Sequence, residues 1–97
     1  MPELPPVENR RYNYTVSGAD IAAPYEVFDD GATTYFRYNP PLSQPPLVGL
    51  PGKNGEELAA SVYQNGDYFA VDTVSNTLLL HVPSGTAYVF KEKNPAQ

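Results

Sequence analysis

No cysteine and no tryptophan occur among the 97 residues of this chain, and histidine occurs once, as His81. Without cysteine there is neither a disulfide framework nor a thiolate metal site, and the redox compartment is left unread. A zinc centre takes three or four ligands, so a lone histidine would need carboxylates for the remainder. Positive charge is also scarce: six Lys and Arg stand against eleven Asp and Glu, for a net charge of −5. Arg10, Arg11, Arg37, Lys53, Lys91 and Lys93 are scattered rather than striped. An acidic chain repels phosphate backbones, which argues against nucleic acid as a partner. Long apolar runs are missing too, none approaching the roughly 20 residues of a membrane span. The start, Met1-Pro2-Glu3-Leu4-Pro5-Pro6, has neither the basic nor the apolar region of a secretory leader. The chain is therefore expected to be either cytoplasmic or a domain cut from a longer exported protein.

Catalytic and ligand-binding motifs are equally sparse. Ser84 lies three residues beyond His81, but Pro83-Ser84-Gly85 is ordinary turn sequence and no serine sits in a nucleophile elbow. Asp29-Asp30 and Glu56-Glu57 are adjacent acids, yet strand neighbours point to opposite faces and neither pair has calcium-loop spacing. Gly52-Lys53-Asn54-Gly55 lacks phosphate-loop spacing. The expectation is no catalytic residue, no metal and no cofactor.

What the chain does have is proline, glycine and tyrosine. Eleven prolines and seven glycines exclude a helical bundle, because proline removes a backbone donor and breaks helix interiors. With 41% hydrophobic residues and twelve aromatics, the chain can still bury one modest core, as a single domain. Residues 1–10 read as a Pro-rich linker or tail in which only Leu4 and Val7 invite burial. Residues 11–93 read as the domain, and residues 94–97 as a frayed end.

Within the domain, polar and apolar residues alternate as in strands. Tyr12, Tyr14 and Val16 would share one face of a first strand from Arg11 to Ser17. Tyr25–Phe28 and Thr33–Tyr38 form a hairpin around Asp29-Asp30-Gly31. Asn39 to Pro46 cannot donate at four of eight positions and reads as a loop. Leu47–Leu50 and Glu57–Tyr63 follow, the latter with Leu58, Ala60 and Val62 inward. Asn65-Gly66 is a favoured turn pair, Tyr68–Thr73 the next strand. Thr77–Val82, with Leu78-Leu79-Leu80, reads as a strand buried on both faces. Thr86–Lys91 closes the set. The fold class is all-β: an antiparallel β-sandwich of about eight or nine short strands. Eight tyrosines exceed what so small a core can satisfy, so some belong on a half-exposed surface.

Three stretches together resemble a known family: Tyr12-Asn13-Tyr14-Thr15-Val16-Ser17-Gly18, Pro24-Tyr25-Glu26-Val27-Phe28-Asp29-Asp30-Gly31 and Thr34-Tyr35-Phe36-Arg37-Tyr38. They look like the C-terminal domain of the TrbG/CagX family, an outer-membrane core-complex subunit of bacterial type IV secretion and conjugation systems. Pro46-Leu47-Val48, Gly55-Glu56-Glu57-Leu58 and Gly66-Asp67-Tyr68-Phe69-Ala70-Val71-Asp72 extend the resemblance, which covers residues 11–82. It weakens at Leu80-His81-Val82-Pro83-Ser84-Gly85, where the family carries a basic residue, a leucine and a glycine.

The resemblance implies a β-sandwich without enzymatic activity. It implies a small outer-membrane lipoprotein bound by β-strand addition, a channel-forming core subunit packed alongside, and a homo-oligomeric ring. The implied location is the periplasmic face of a Gram-negative outer membrane, with the leader lost by excision. Strand addition needs an unpaired strand edge with alternating side-chain pockets. The first strand is the leading candidate, since no tight hairpin joins it to its successor; the last strand, with Tyr88 and Phe90, is the second. The expected partner-binding residues are Arg11, Tyr12, Asn13, Tyr14, Val16, Tyr88 and Phe90, with Tyr12, Tyr14 and Val16 either pocket or core. Two other readings compete: a carbohydrate-binding sandwich stacking sugars on exposed tyrosines, and a small hydrolase using Asp29, Asp72 or His81.

Overall fold

The computed structural model describes residues 4–93; the expected frayed end at residues 94–97 lies outside them. Nine strands form, β1 (Tyr14–Gly18), β2 (Glu26–Asp29), β3 (Thr34–Arg37), β4 (Leu47–Pro51), β5 (Glu57–Ala60), β6 (Tyr63–Asn65), β7 (Tyr68–Val71), β8 (Thr77–Val82) and β9 (Gly85–Lys91). They make two antiparallel sheets, a five-stranded one in the order β1-β9-β8-β4-β5 and a four-stranded one in the order β2-β3-β7-β6. This is the expected all-β sandwich.

Alternation decides what enters the space between the sheets. Val27, Phe36, Phe69 and Val71 point in from the four-stranded sheet; Val48, Leu78, Leu80 and Val89 meet them from the five-stranded one. Phe36 lies 5.8 Å from the Phe69 ring and packs edge-on to Tyr38 at 6.2 Å. Tyr38 is buried because its hydroxyl donates to the Ala22 carbonyl at 2.8 Å; burial pushes its ionisation well above the usual tyrosine range.

Several strand readings are corrected. Glu57–Tyr63 is not one strand: β5 ends at Ala60 and β6 begins at Tyr63 in the other sheet. The chain changes sheets across residues 61–62, so a continuous alternation pattern conceals a corner, and Leu58 is half exposed rather than core. The β6–β7 loop is Gly66-Asp67, one residue later than expected, since Asn65 still pairs with Tyr68. Gly66 takes the positive φ (62°) that this position of a two-residue hairpin loop demands. Of Leu78-Leu79-Leu80, only Leu78 and Leu80 are buried; Leu79 is on the outer face. The strand is covered on one side, as usual in an antiparallel sheet.

The four-stranded sheet is covered on both sides. Phe28, Tyr35 and Ala70 point outward from it and are nonetheless buried. Their cover is the N-terminal segment: Leu4 packs on them, the Arg10 guanidinium sits 4.5 Å from the Phe28 ring centre, and the Tyr12 ring lies tilted against Phe28 at 5.3 Å. Arg10 Nε donates to the Pro5 carbonyl at 2.9 Å, which holds the segment in a bend. Pro5 is buried here and Val7 is 68% exposed, the reverse of the burial expected for Val7.

Candidate partner-binding edge

Among the described residues the two sheets leave four strand edges, at β1, β5, β2 and β6. Exposed edges recruit other strands unless something blunts them. On β2, Arg11 closes one end by exchanging backbone hydrogen bonds with Asp29, at 2.7 and 3.0 Å. On β5, Glu57 folds its side chain over Gly49 and reaches His81 at 2.6 Å, putting charge on that edge. β6 has three residues. β1 has five, Tyr14-Thr15-Val16-Ser17-Gly18, and none is charged.

The register of β1 against β9 fixes which main-chain groups are free. Glu92 N–H donates to the Asn13 carbonyl and Ala19 N–H to the Thr86 carbonyl. Residues 13 and 19 therefore face β9, and by the alternation of an antiparallel ladder so do Thr15 and Ser17. The main-chain groups of Tyr14, Val16 and Gly18 point the other way. Tyr14 N–H is taken by the Tyr12 carbonyl at 2.7 Å; the Val16 pair, the Tyr14 carbonyl and the Gly18 amide remain as an open row.

The expected site residues distribute over five places. Arg11 lies on the β2 edge, its guanidinium 3.5 Å from the Asp29 carboxylate. Tyr12 belongs to the outer face of the four-stranded sheet, where its hydroxyl donates to Glu26 at 3.1 Å; a tight bend separates it from Tyr14, so the two do not share a strand face. Asn13 turns its side-chain amide onto the Glu92 carbonyl. Tyr14 and Val16 point inward and pack against the core. Tyr88 and Phe90 point outward from β9, 41% and 38% exposed, with rings stacked 6.5 Å apart. The last strand is not an edge: β9 lies between β1 and β8, and only its outer face is open. Chain order suggested otherwise because the last strand looks terminal, whereas β1 pairs with it across the length of the domain.

The model of the CagX family, described as a conjugal transfer protein, matches residues 4–92. The chain belongs to the CagX family. A relative, Protein virB9 of Agrobacterium fabrum, is 32% identical over 68 residues, which is 70% of this chain and 23% of that protein. The chain thus spans about a quarter of that relative's length.

In this CagX domain the residues of the hydrolase reading do not converge. His81 lies on the outer face between Glu57 and Thr86. Asp72 accepts from Thr33 at 3.2 Å and from Tyr63 at 2.8 Å, a bond that helps hold the Tyr63 hydroxyl up at about 12. Asp29 is fully buried and accepts from Tyr14, Lys91 and the Gly31 amide. No partner is shared among the three. Two tyrosines of the sugar reading are engaged: Tyr12 and Tyr68, with Arg37, all donate to the single Glu26 carboxylate.

Two carboxylates of the CagX domain consequently titrate low. Burial alone would raise Asp29, but Lys91, Tyr14 and the Gly31 amide outweigh it and hold it below the usual range. Burial likewise opposes Glu26, and Arg37, Tyr68 and Tyr12 overcome it. A carboxylate depressed in the folded state adds stability that is complete above its unfolded pKa and lost as pH falls through the folded one. The thermal midpoint should therefore be level near neutrality and fall below about pH 4. Glu26→Gln should shrink that fall; an unchanged acid limb would refute the assignment of Glu26.

Proposed function

We propose that this chain is a non-enzymatic structural module of a type IV secretion outer-membrane core complex, and that it binds a short lipoprotein by β-strand addition along β1. Membership of the conjugal transfer family supports the assembly. The open main-chain row at Tyr14, Val16 and Gly18 carries the binding mode, since strand addition consumes such a row. An added strand would hydrogen-bond to Val16 and place alternate side chains beside Thr15 and Ser17 outside and beside the half-buried Tyr14 and Val16 inside.

The outer face of the five-stranded sheet supports a second contact. Tyr88 and Phe90 of β9 adjoin Leu79 of β8, which pairs with Tyr88; Glu57 covers the next position, Gly49, and the 75%-exposed Leu47 lies two residues from it along β4. Rigid aromatics among small residues suit a protein interface. We assign this face to the channel-forming subunit, within a homo-oligomeric ring at the periplasmic side of the outer membrane.

The test is a heteronuclear NMR titration of the labelled domain with a peptide from the lipoprotein of the same secretion system. Strand addition predicts new hydrogen-exchange protection at Val16 and Gly18 amides, with cross-strand contacts from the peptide to Tyr14–Gly18. A spectrum indifferent to the peptide, or changes confined to Tyr88 and Phe90, would overturn it.

A further inference from the structure

The conspicuous polar group left without a role is Asp29, the last residue of β2 and 0% exposed. Its Oδ2 accepts from the Tyr14 hydroxyl and from Lys91 Nζ, each at 2.5 Å. Its Oδ1 accepts from the Gly31 amide at 2.8 Å and lies 3.5 Å from Arg11 Nη1. The acceptor stands on the four-stranded sheet, while Tyr14 and Lys91 stand on β1 and β9 of the five-stranded one. Tyr14 and Lys91 are also directly opposite each other, the first pair of the β1–β9 ladder. One carboxylate oxygen thus grips both members of that pair. The same residue holds the chain three positions earlier through its backbone, by the two hydrogen bonds to Arg11. Between these two grips the chain bends at Tyr12–Tyr14 and passes from one sheet to the other.

We infer that Asp29 is the positioning residue that sets the register of β1, and so decides which main-chain groups the open edge presents. A strand slipped by one residue reverses every side chain and every main-chain group. It would turn the hydrogen-bonding groups of Thr15 and Ser17 outward and send Tyr14 and Val16 out of the core. β1 is five residues long with one ladder neighbour and ends in Gly18, so its own pairing specifies register weakly. The anchor at Tyr14 supplies what the short ladder lacks. A carboxylate suits the task because all its contacts are donors. In Asp29→Asn the amide nitrogen must face either Tyr14 and Lys91 or Gly31 and Arg11, setting donor against donor. The depressed ionisation of Asp29 agrees with a carboxylate that stays charged at neutral pH. The link from register to partner binding rests on the reading of β1 as the partner edge; the register itself does not.

The test needs no partner. Native-state amide exchange is measured for wild type, Asp29→Asn, Tyr14→Phe, and a control, Phe69→Leu, that loosens the core away from the anchor. The positioning role predicts Thr15 and Ser17 amides exchanging on the order of tenfold faster relative to those of Tyr35 and Phe36 in the central β3, for both anchor variants. It also predicts loss of the close Val16–Val89 cross-strand contact. The control should accelerate all four amides together. Proportional acceleration in the anchor variants, or none, would overturn the inference and leave Asp29 a general stabiliser. If Asp29→Asn fails to fold, Tyr14→Phe decides alone, since it removes only the β1 donor. Failure of the lipoprotein titration with a positive exchange result would refute the partner edge and leave the register role standing.

Discussion

Phe36→Ala should lower the unfolding free energy by about 3–5 kcal/mol, the usual cost of deleting a buried phenylalanine. Phe36 is fully buried on β3, between Val27 of β2 and Phe69 of β7, with Tyr38 edge-on to its ring. Its removal opens a cavity walled by paired strands of the four-stranded sheet, which cannot collapse without breaking the ladder. A domain of this size has only about 5–15 kcal/mol in total, so the variant should sit at the edge of folding. The thermal midpoint should drop by about 15 °C or more. Leu47→Ala is the contrast: Leu47 is 75% exposed, and the change should stay within about 0.5 kcal/mol. Comparable losses at the two positions would mean that the core does not lie between these sheets.

The second large effect separates two neighbouring residues of β1. Proline has no amide hydrogen, so it is tolerated on a strand only where that hydrogen faces away from the ladder. Val16 N–H faces the open edge and Thr15 N–H faces β9. Val16→Pro should therefore preserve the fold and weaken binding of the lipoprotein peptide by on the order of tenfold or more, because the added strand loses its central donor. Thr15→Pro should instead cost roughly 1–3 kcal/mol of stability through a broken β1–β9 bond. Chemical denaturation measures the stability and peptide titration the affinity. Undiminished binding by Val16→Pro would rule out addition along β1.

Asp29 connects these two effects. The core holds the sheets together, but it is the carboxylate at the β2 end that ties the strand carrying the open edge to the other sheet. A buried carboxylate surrounded by Tyr14, Lys91 and Arg11 contributes mainly through geometry: deleting a partner strands a charge, while the intact set fixes one arrangement.

Much of this was legible in the chain. The all-β class followed from alternation and from turn residues whose φ only glycine adopts readily, and the β2–β3 hairpin could be placed around Asp29-Asp30-Gly31 because its causes are local. The family could be read from the same stretch, Val27 to Phe36. The absence of cysteine and the scarcity of histidine restrict the chemistry whatever the fold. What depended on the tertiary structure was pairing at long range and cover on the second face. Nothing near Thr15 announces that its neighbour is Phe90, since that pairing is set by how two sheets close on one core. Phe28 and Tyr35 look like the outward half of an amphipathic hairpin until the segment from Leu4 to Tyr12 folds over them. Asp29, beside a glycine in turn sequence, has the local features of a solvated loop acid. It is buried because β1 and β9 bring Tyr14 and Lys91 to it from the other sheet, and a sequence pattern records spacing along the chain rather than distance across a sandwich.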